Sequence, residues 1–214
     1  NGDYYFIDNY NKYAVNKMVE LRSNFVNGTD LEPWYYTFGP DGKMVNYMEN
    51  VTNGRDIGAV PFFKTTDGYD VKEGMLIRGS ELDGAETGVA QAEGAKYLLD
   101  TYSIKTEVDL RGPIVTASDA FGADVVHKYY TMVFYEEAFT EQGKERVKEI
   151  FTDLSNPENY PIYIHCAHGI DRAGTVNYIL GAVLGVSESN LAKEYMLSVG
   201  AYGEKILEVR DGIN

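Results

Sequence analysis

One stretch of this chain gathers side chains that do chemistry in combination: His165-Cys166-Ala167-His168-Gly169-Ile170-Asp171-Arg172-Ala173-Gly174-Thr175. It follows Pro161 to His165, a short apolar run that reads as a strand. It precedes Val176 to Leu184, which reads as a buried helix stopped by Gly185. A loop closing on a helix N-terminus turns several backbone N–H groups into one small bowl, and the helix dipole adds positive potential there. Such a bowl suits a tetrahedral dianion. The same field favours a thiolate over a thiol at Cys166, and the thiolate is the nucleophile. Arg172, six positions after Cys166, can lay its planar guanidinium over the bowl and grip two oxygens at once, which an ammonium cannot. Gly169 lets the loop turn without a side chain blocking the anion.

The alternative for Cys166, the only cysteine of the chain, is a small buried thiol at the end of a core strand. Composition argues against coincidence. Arg at +6, Gly at +3 and His at −1 from one cysteine has a chance of about 5 in 100,000 given these residue frequencies. His165 and His168 beside Cys166 do not make a zinc site, because a structural zinc needs four ligands and no further cysteine exists. With one cysteine there is no intrachain disulfide either.

The elements that must position this loop alternate. Glu86 to Tyr102 reads as a helix, Ile104 to Leu110 as a strand, Asp124 to Val133 as a strand and Thr140 to Leu154 as a helix, and Ser187 suits the N-cap of another. That alternation predicts an α/β fold with a central, mainly parallel sheet flanked by helices. The first fifty residues differ in texture, being rich in Tyr and Asn, and read as a small N-terminal β or irregular segment. Tyr35 to Phe38 and Lys43 to Tyr47 flank Gly39-Pro40-Asp41-Gly42, which predicts a hairpin. Trp34, Tyr35 and Tyr36 read as packing rather than a ligand platform. The division expected is an accessory segment at residues 1–50 and a catalytic domain at 51–214.

The 214 residues carry 33 acidic and 19 basic side chains, a formal charge of −14, with 44% apolar residues. The chain can bury a core, and its charge repels a nucleic acid backbone. No apolar run approaches the ~20 residues a membrane helix requires, and mean hydropathy is −0.32. No nucleic acid partner and no transmembrane segment are therefore expected.

The C-x-x-x-x-x-R loop after a strand resembles the signature of the cysteine-dependent protein tyrosine phosphatases. The Asp before Arg172 is similar to a bacterial subgroup whose loop reads H-C-x-x-G-x-D-R-T-G. Three further stretches carry the resemblance: Asn53-Gly54-Arg55-Asp56-Ile57-Gly58, Ile77-Arg78-Gly79-Ser80-Glu81-Leu82 and Val108-Asp109-Leu110-Arg111. Residues 177–198 resemble the helices that follow the loop, so the likeness spans about residues 51–199.

The resemblance implies a phosphotyrosine phosphatase-like fold, a phosphotyrosine protein or other phosphomonoester as substrate, and hydrolysis through a phosphocysteine, without cofactor or metal. It implies Cys166 as nucleophile and Arg172 with the N–H groups of Ala167, His168, Gly169, Ile170 and Asp171 as the oxyanion cradle. Asp171 is the expected general acid, with Glu136 and Glu137 in reserve. His165 is expected to position the loop, and Asp109 with Arg111 to form a buried supporting ion pair, Arg55 with Asp56 likewise. Export from a bacterial cell is implied by resemblance alone. One departure stands out: the family carries Ser or Thr after the loop Arg, to bond the sulfur and ease breakdown of the intermediate, and this chain has Ala173. Two alternatives therefore stay open, a weakly active phosphate- or phosphoprotein-binding module and a phosphatase for lipid or small phosphomonoesters. Members acting on phosphoinositides carry Lys in the loop, and Ala167 and Ile170 supply none.

Overall fold

The computed structural model describes residues 3–29, 31–112, 120–201 and 203–213. Its centre is a five-stranded sheet whose strands lie in the spatial order β3 (Arg55–Asp56), β4 (Leu76–Gly79), β7 (Ile162–His165), β5 (Thr106–Asp109) and β6 (Val126–Tyr129). All neighbours pair in parallel except β3 with β4. The mainly parallel α/β sheet read from the alternation is therefore what the chain forms. Strand β7 is central, so Cys166 leaves the C-terminal edge of the sheet from its best-supported position, where open α/β sheets present their sites.

Alternation along each strand divides the core into two layers. Leu76, Ile162, Ile164 and Val108 face one way, under α3 (Glu141–Ser155), α4 (Asp171–Val183), α5 (Glu188–Met196) and α6 (Gly203–Ile213). Ile77 and Tyr163 face the other way, under Ala95 and Leu98 of α2 (Ala92–Tyr102). Helix α3 begins where Thr140 caps it, its hydroxyl accepting from the Gly143 N–H at 3.1 Å, and it buries Ile150 and Leu154.

The N-terminal segment has its own small core of Leu21, Val26, Leu31, Tyr36 and Phe38. Its two-stranded sheet pairs β1 (Lys17–Leu21) with β2 (Trp34–Phe38), bridged by the short helix α1 (Ser23–Val26). The expected hairpin is thus only partly formed. The turn at residues 39–42 exists, but its second arm holds β2 by a single bridge, Phe38 to Met44, and the full-length partner lies upstream. The indole of Trp34 donates to the Met196 carbonyl at 2.7 Å and ties this segment to the end of α5.

Three helices differ from the sequence reading. Helix α2 starts at Ala92 rather than Glu86, because Gly88 takes a φ of +74°, which no residue inside a right-handed helix can have. Helix α4 starts at Asp171, inside the cysteine loop rather than after it. Helix α6 has no counterpart in the sequence pattern described above.

The Arg55–Asp56 pair expected from sequence does not form, since adjacent strand residues point to opposite faces. Asp56 accepts from the N–H groups of Gly58 and Gly74, at 3.0 and 2.6 Å. Arg55 reaches Glu194 of α5 at 2.7 Å, and Arg78 of β4 reaches the same carboxylate at 2.9 Å. Asn177 of α4 donates to it as well, at 2.8 Å. Burial and the neighbouring Arg78 push Arg55 down to about 10 against the pull of Glu194. Burial works to raise Glu194, but the two guanidinium groups bring it below the ordinary carboxylate range. Replacing Glu194 by Gln leaves two buried guanidinium groups without a counter-charge. We expect a loss of about 3–5 kcal/mol in urea unfolding; a change under about 1 kcal/mol would show that this cluster does not hold α5 to the sheet.

Candidate active site

The loop leaving β7 runs from Cys166 to Ile170 and enters α4 at Asp171. Its carbonyl oxygens are drawn outward, to donors from several segments. That of Ala167 accepts from the Glu81 N–H at 3.0 Å. His168 O accepts from the Asn53 amide at 2.9 Å. The oxygens of Gly169 and Ile170 accept from Arg78 at 2.8 and 3.2 Å. With its carbonyls held outside, the loop turns its N–H groups to the other side. Among the described residues, no backbone hydrogen bond is donated by residues 167–172. This arrangement, opening on the N-terminus of α4, is chemically an anion receptor.

Gly169 is required for a reason different from the one its place in the loop suggests. It has φ of +71°, and a Cβ there would lie 2.5 Å from the Gly79 carbonyl oxygen and 2.8 Å from the Ser80 nitrogen. Close approach of the loop to the end of β4 demands glycine, rather than clearance for an anion.

Cys166 is 3% exposed and shares an apolar cluster with Ala173, which is wholly buried. Arg172 is positioned by Glu86, whose oxygens receive its two terminal nitrogens at 3.3 and 2.7 Å, and by the Met132 carbonyl at 3.1 Å. Burial works against the charge of Arg172, but Glu86 and the Cys166 sulfur beside it raise its pKa above the ordinary arginine value. Glu86 also accepts from the Gly112 N–H at 3.0 Å. Burial opposes its charge in turn, and Arg172 leads the groups that bring it below the usual carboxylate range.

Beneath this lies a buried ionic cluster. Arg111 donates to Asp109 at 2.6 Å, to Glu81 at 2.8 Å and to Asp83 at 2.5 Å. Asp109 and Arg111 are therefore paired, within a larger group than a simple pair. Glu81 and Asp83 fall below the ordinary range although burial pushes them up, chiefly through the Thr87 N–H and Arg111 for Glu81 and through Arg111 for Asp83. His165 is fully buried, with Nε2 at 2.9 Å from Glu107 and Nδ1 at 3.3 Å from the Cys166 carbonyl oxygen.

Asp171 opens α4 a third exposed, its carboxylate accepting from the Tyr195 hydroxyl at 3.1 Å and from Lys205 at 2.7 Å. His168 stands exposed at the rim and Ile170 is half-buried. Glu136 and Glu137 lie in a short 3-10 turn, Tyr135–Phe139. There Glu136 is exposed and Glu137 accepts from the Val133 N–H at 3.1 Å. The Thr175 hydroxyl is buried without a hydrogen-bond partner among the described residues, so it does not stand in for the hydroxyl missing at Ala173. Sequence reasoning missed Glu86, Glu107, Glu194 and Lys205. Of these, Glu107 carried a signal, since it alternates with Asp109 on one strand face.

A family model described as the tyrosine phosphatase family matches residues 47–212, and the chain belongs to that family of cysteine-based phosphatases. Comparison with curated protein sequences gives no match. Among solved structures, the Siw14 catalytic core is similar at 17% identity and a TM-score of 0.50, covering 63% of this chain and 78% of that one. A second structure, the core catalytic domain of the PP-IP phosphatase SIW14 from S. cerevisiae with citrate, gives 16% and 0.49 over the same shares. P. aeruginosa TpbA in complex with pTyr gives 17% and 0.43, covering 66% and 90%.

The receptor geometry predicts that Gly169→Ala loses oxyanion binding. Tungstate titrated calorimetrically should bind at least tenfold more weakly, with the far-UV spectrum unchanged; equal affinity would mean that the contact with β4 does not shape the bowl.

Proposed function

We propose that the protein hydrolyses phosphotyrosine esters through a phosphocysteine. The observation that carries this reading is the loop with its carbonyls outside, its N–H groups inside and Arg172 beside Cys166. In the first step the Cys166 sulfur attacks phosphorus in line. A P–S bond forms, the bond from phosphorus to the phenolic oxygen breaks, and Asp171 gives that oxygen its proton. The N–H groups of residues 167–172 and Arg172 receive the charge on the equatorial oxygens. In the second step water attacks phosphorus, its proton passes to Asp171, and the P–S bond breaks to release phosphate and the thiolate. Neither step calls for a metal.

Asp171 is favoured over Glu136 and Glu137 because it adjoins Arg172, whereas Glu137 is spent on the Val133 N–H. The proton it delivers must compete with Lys205 and Tyr195 for the same two oxygens. An aryl ester is favoured over a polyanion by the charges around the bowl. Arg172 is matched by Glu86, leaving little surplus positive charge on the bowl for additional phosphates. Directly after Met132, whose carbonyl holds Arg172, Val133 and Phe134 are 43% and 65% exposed and offer apolar surface to a ring. The second reading is a phosphatase of polyphosphorylated small molecules, motivated by Siw14, a PP-IP phosphatase whose catalytic core shares this fold.

Two outcomes test the first reading. Hydrolysis of aryl phosphates should be inhibited by vanadate and abolished in Cys166→Ser, and Asp171→Asn should lose about 100-fold on phenyl phosphate but under about tenfold on a good leaving group. An equal loss on both would make Asp171 structural, and faster turnover of a polyphosphorylated inositol than of a phosphotyrosine peptide would favour the second reading. For Ala173, rapid mixing should show a burst of phenol followed by slow turnover, relieved in Ala173→Thr; identical kinetics would remove the role assigned to the missing hydroxyl.

A further inference from the structure

The ring of His165 is buried with an oxygen acceptor at each nitrogen, the Glu107 carboxylate at 2.9 Å and the Cys166 carbonyl at 3.3 Å. A neutral imidazole has one N–H and one lone pair, so one of these contacts would set a lone pair against an acceptor. Only the doubly protonated ring donates to both. The second oxygen of Glu107 lies 2.8 Å from Nδ1 of His127 on β6. Nε2 of His127 has no hydrogen-bond partner among the described residues and stands 4.0 Å from Asp109. His127 can satisfy Glu107 with an Nδ1–H alone, so the hydrogen-bond geometry asks for N–H groups on both ring nitrogens only at His165.

We propose that Glu107 is a positioning residue that holds His165 as an imidazolium beneath the cysteine loop, adding a buried positive charge to the N–H groups and Arg172 that stabilise the Cys166 sulfur anion. The proposal deepens the functional reading and rests on Cys166 being the nucleophile. The sheet sets the arrangement. Glu107 on β5 stands in register with His127 on β6 and with Tyr163 on β7, and Asp109 stands in register with His165. Period-2 alternation then puts all these side chains on one face. The Tyr163 ring stacks on His165, centroids 5.5 Å apart and planes 21° apart, and fixes its plane.

The charged groups facing His165 are Glu107 and Asp109 from β5, Arg111 just beyond β5, and Asp83 from the segment after β4. Burial and Arg111 disfavour the imidazolium, Glu107 and Asp109 favour it, and the balance raises His165 above the ordinary imidazole value. Glu107 resists burial through its two histidines and is held at about 2. A raised value means that the cation is fully present below the ordinary imidazole pKa and is lost only as pH climbs through the raised one.

The chain has three histidines, so the ring nitrogen-15 spectrum of the full protein is simple. At about pH 7.5, above the ordinary imidazole value, we expect one ring, removed by His165→Asn, to carry protons on both nitrogens. A single protonated nitrogen on His165 would overturn the proposal, and this measurement needs no folded variant of Glu107. In Glu107→Gln, His165 should become neutral at the same pH. Alkylation of Cys166 by iodoacetamide should then slow about tenfold near pH 6 and be unchanged at about pH 9.5, where thiolate forms without help. An equal change at both pH values would mean a merely structural role and reject the proposal. The ring spectrum is independent of turnover: a doubly protonated His165 in a protein without aryl phosphatase activity would sink the functional reading and leave Glu107 in its role.

Discussion

The carbonyl oxygens of residues 167–170 are all claimed from outside, and the receptor depends on it. A peptide unit that points its oxygen one way points its N–H the other way, so four outward carbonyls commit the loop to an inward ring of donors. The donors that claim them come from separated parts of the chain: Asn53, Arg78 and the Glu81 backbone. These belong to the stretches around β3 and β4, the two strands beside β7 toward one edge of the sheet. The antiparallel β3 thus does more than extend the sheet, since it follows Asn53 and brings that amide to the side of the loop where carbonyls need donors.

A net charge of −14 does not prevent such a bowl from attracting an anion, because the field that matters is local. The acids near the site are spent on specific cations. Glu86 faces Arg172, Glu81 and Asp83 face Arg111, and Glu194 faces Arg55 and Arg78. Each of these acids accepts donors that hold its charge away from the loop interior, while the loop N–H groups and the start of α4 point into it.

The loop is legible in the sequence because its chemistry lies in consecutive residues: Cys166, Gly169 and Arg172 keep a fixed spacing, and the flanking apolar runs identify strand and helix. Strands β5, β6 and β7 are legible for the same kind of reason, from strand-length and helix-length apolar segments that alternate after residue 86. What stays hidden is what depends on contacts between distant segments. Glu194 lies 139 residues from Arg55, and nothing local distinguishes it from a solvated helix carboxylate. Glu86 reads as part of a helix because Val89, Ala92 and Leu99 suit one. The glycines override that pattern, since Gly84 and Gly88 take φ of +73° and +74° and keep the stretch before Ala92 out of the helix, where the Glu86 side chain meets Arg172. The true partner of Arg55 is hidden in the same way, although strand alternation already places Asp56 on the opposite face.

Three buried clusters, centred on Glu194, Arg111 and Glu107, surround the loop, and what they add is direction more than stability. Ion pairs of this sort gain little net free energy over well-packed hydrocarbon, because removing charges from water costs what their attraction returns. Hydrocarbon, however, is indifferent to direction. A guanidinium gripped by a carboxylate has fixed donors left over, and Arg78 turns its second terminal nitrogen onto the carbonyls of Gly169 and Ile170. His165 likewise spends one N–H on Glu107 and presents the other to the Cys166 carbonyl. Apolar packing on the face toward α3 and α4 closes the fold, whereas the polar groups fix where each peptide of the loop points. An anion receptor made of backbone N–H groups needs that second kind of order, because rotating one peptide would replace a donor by a repelling oxygen.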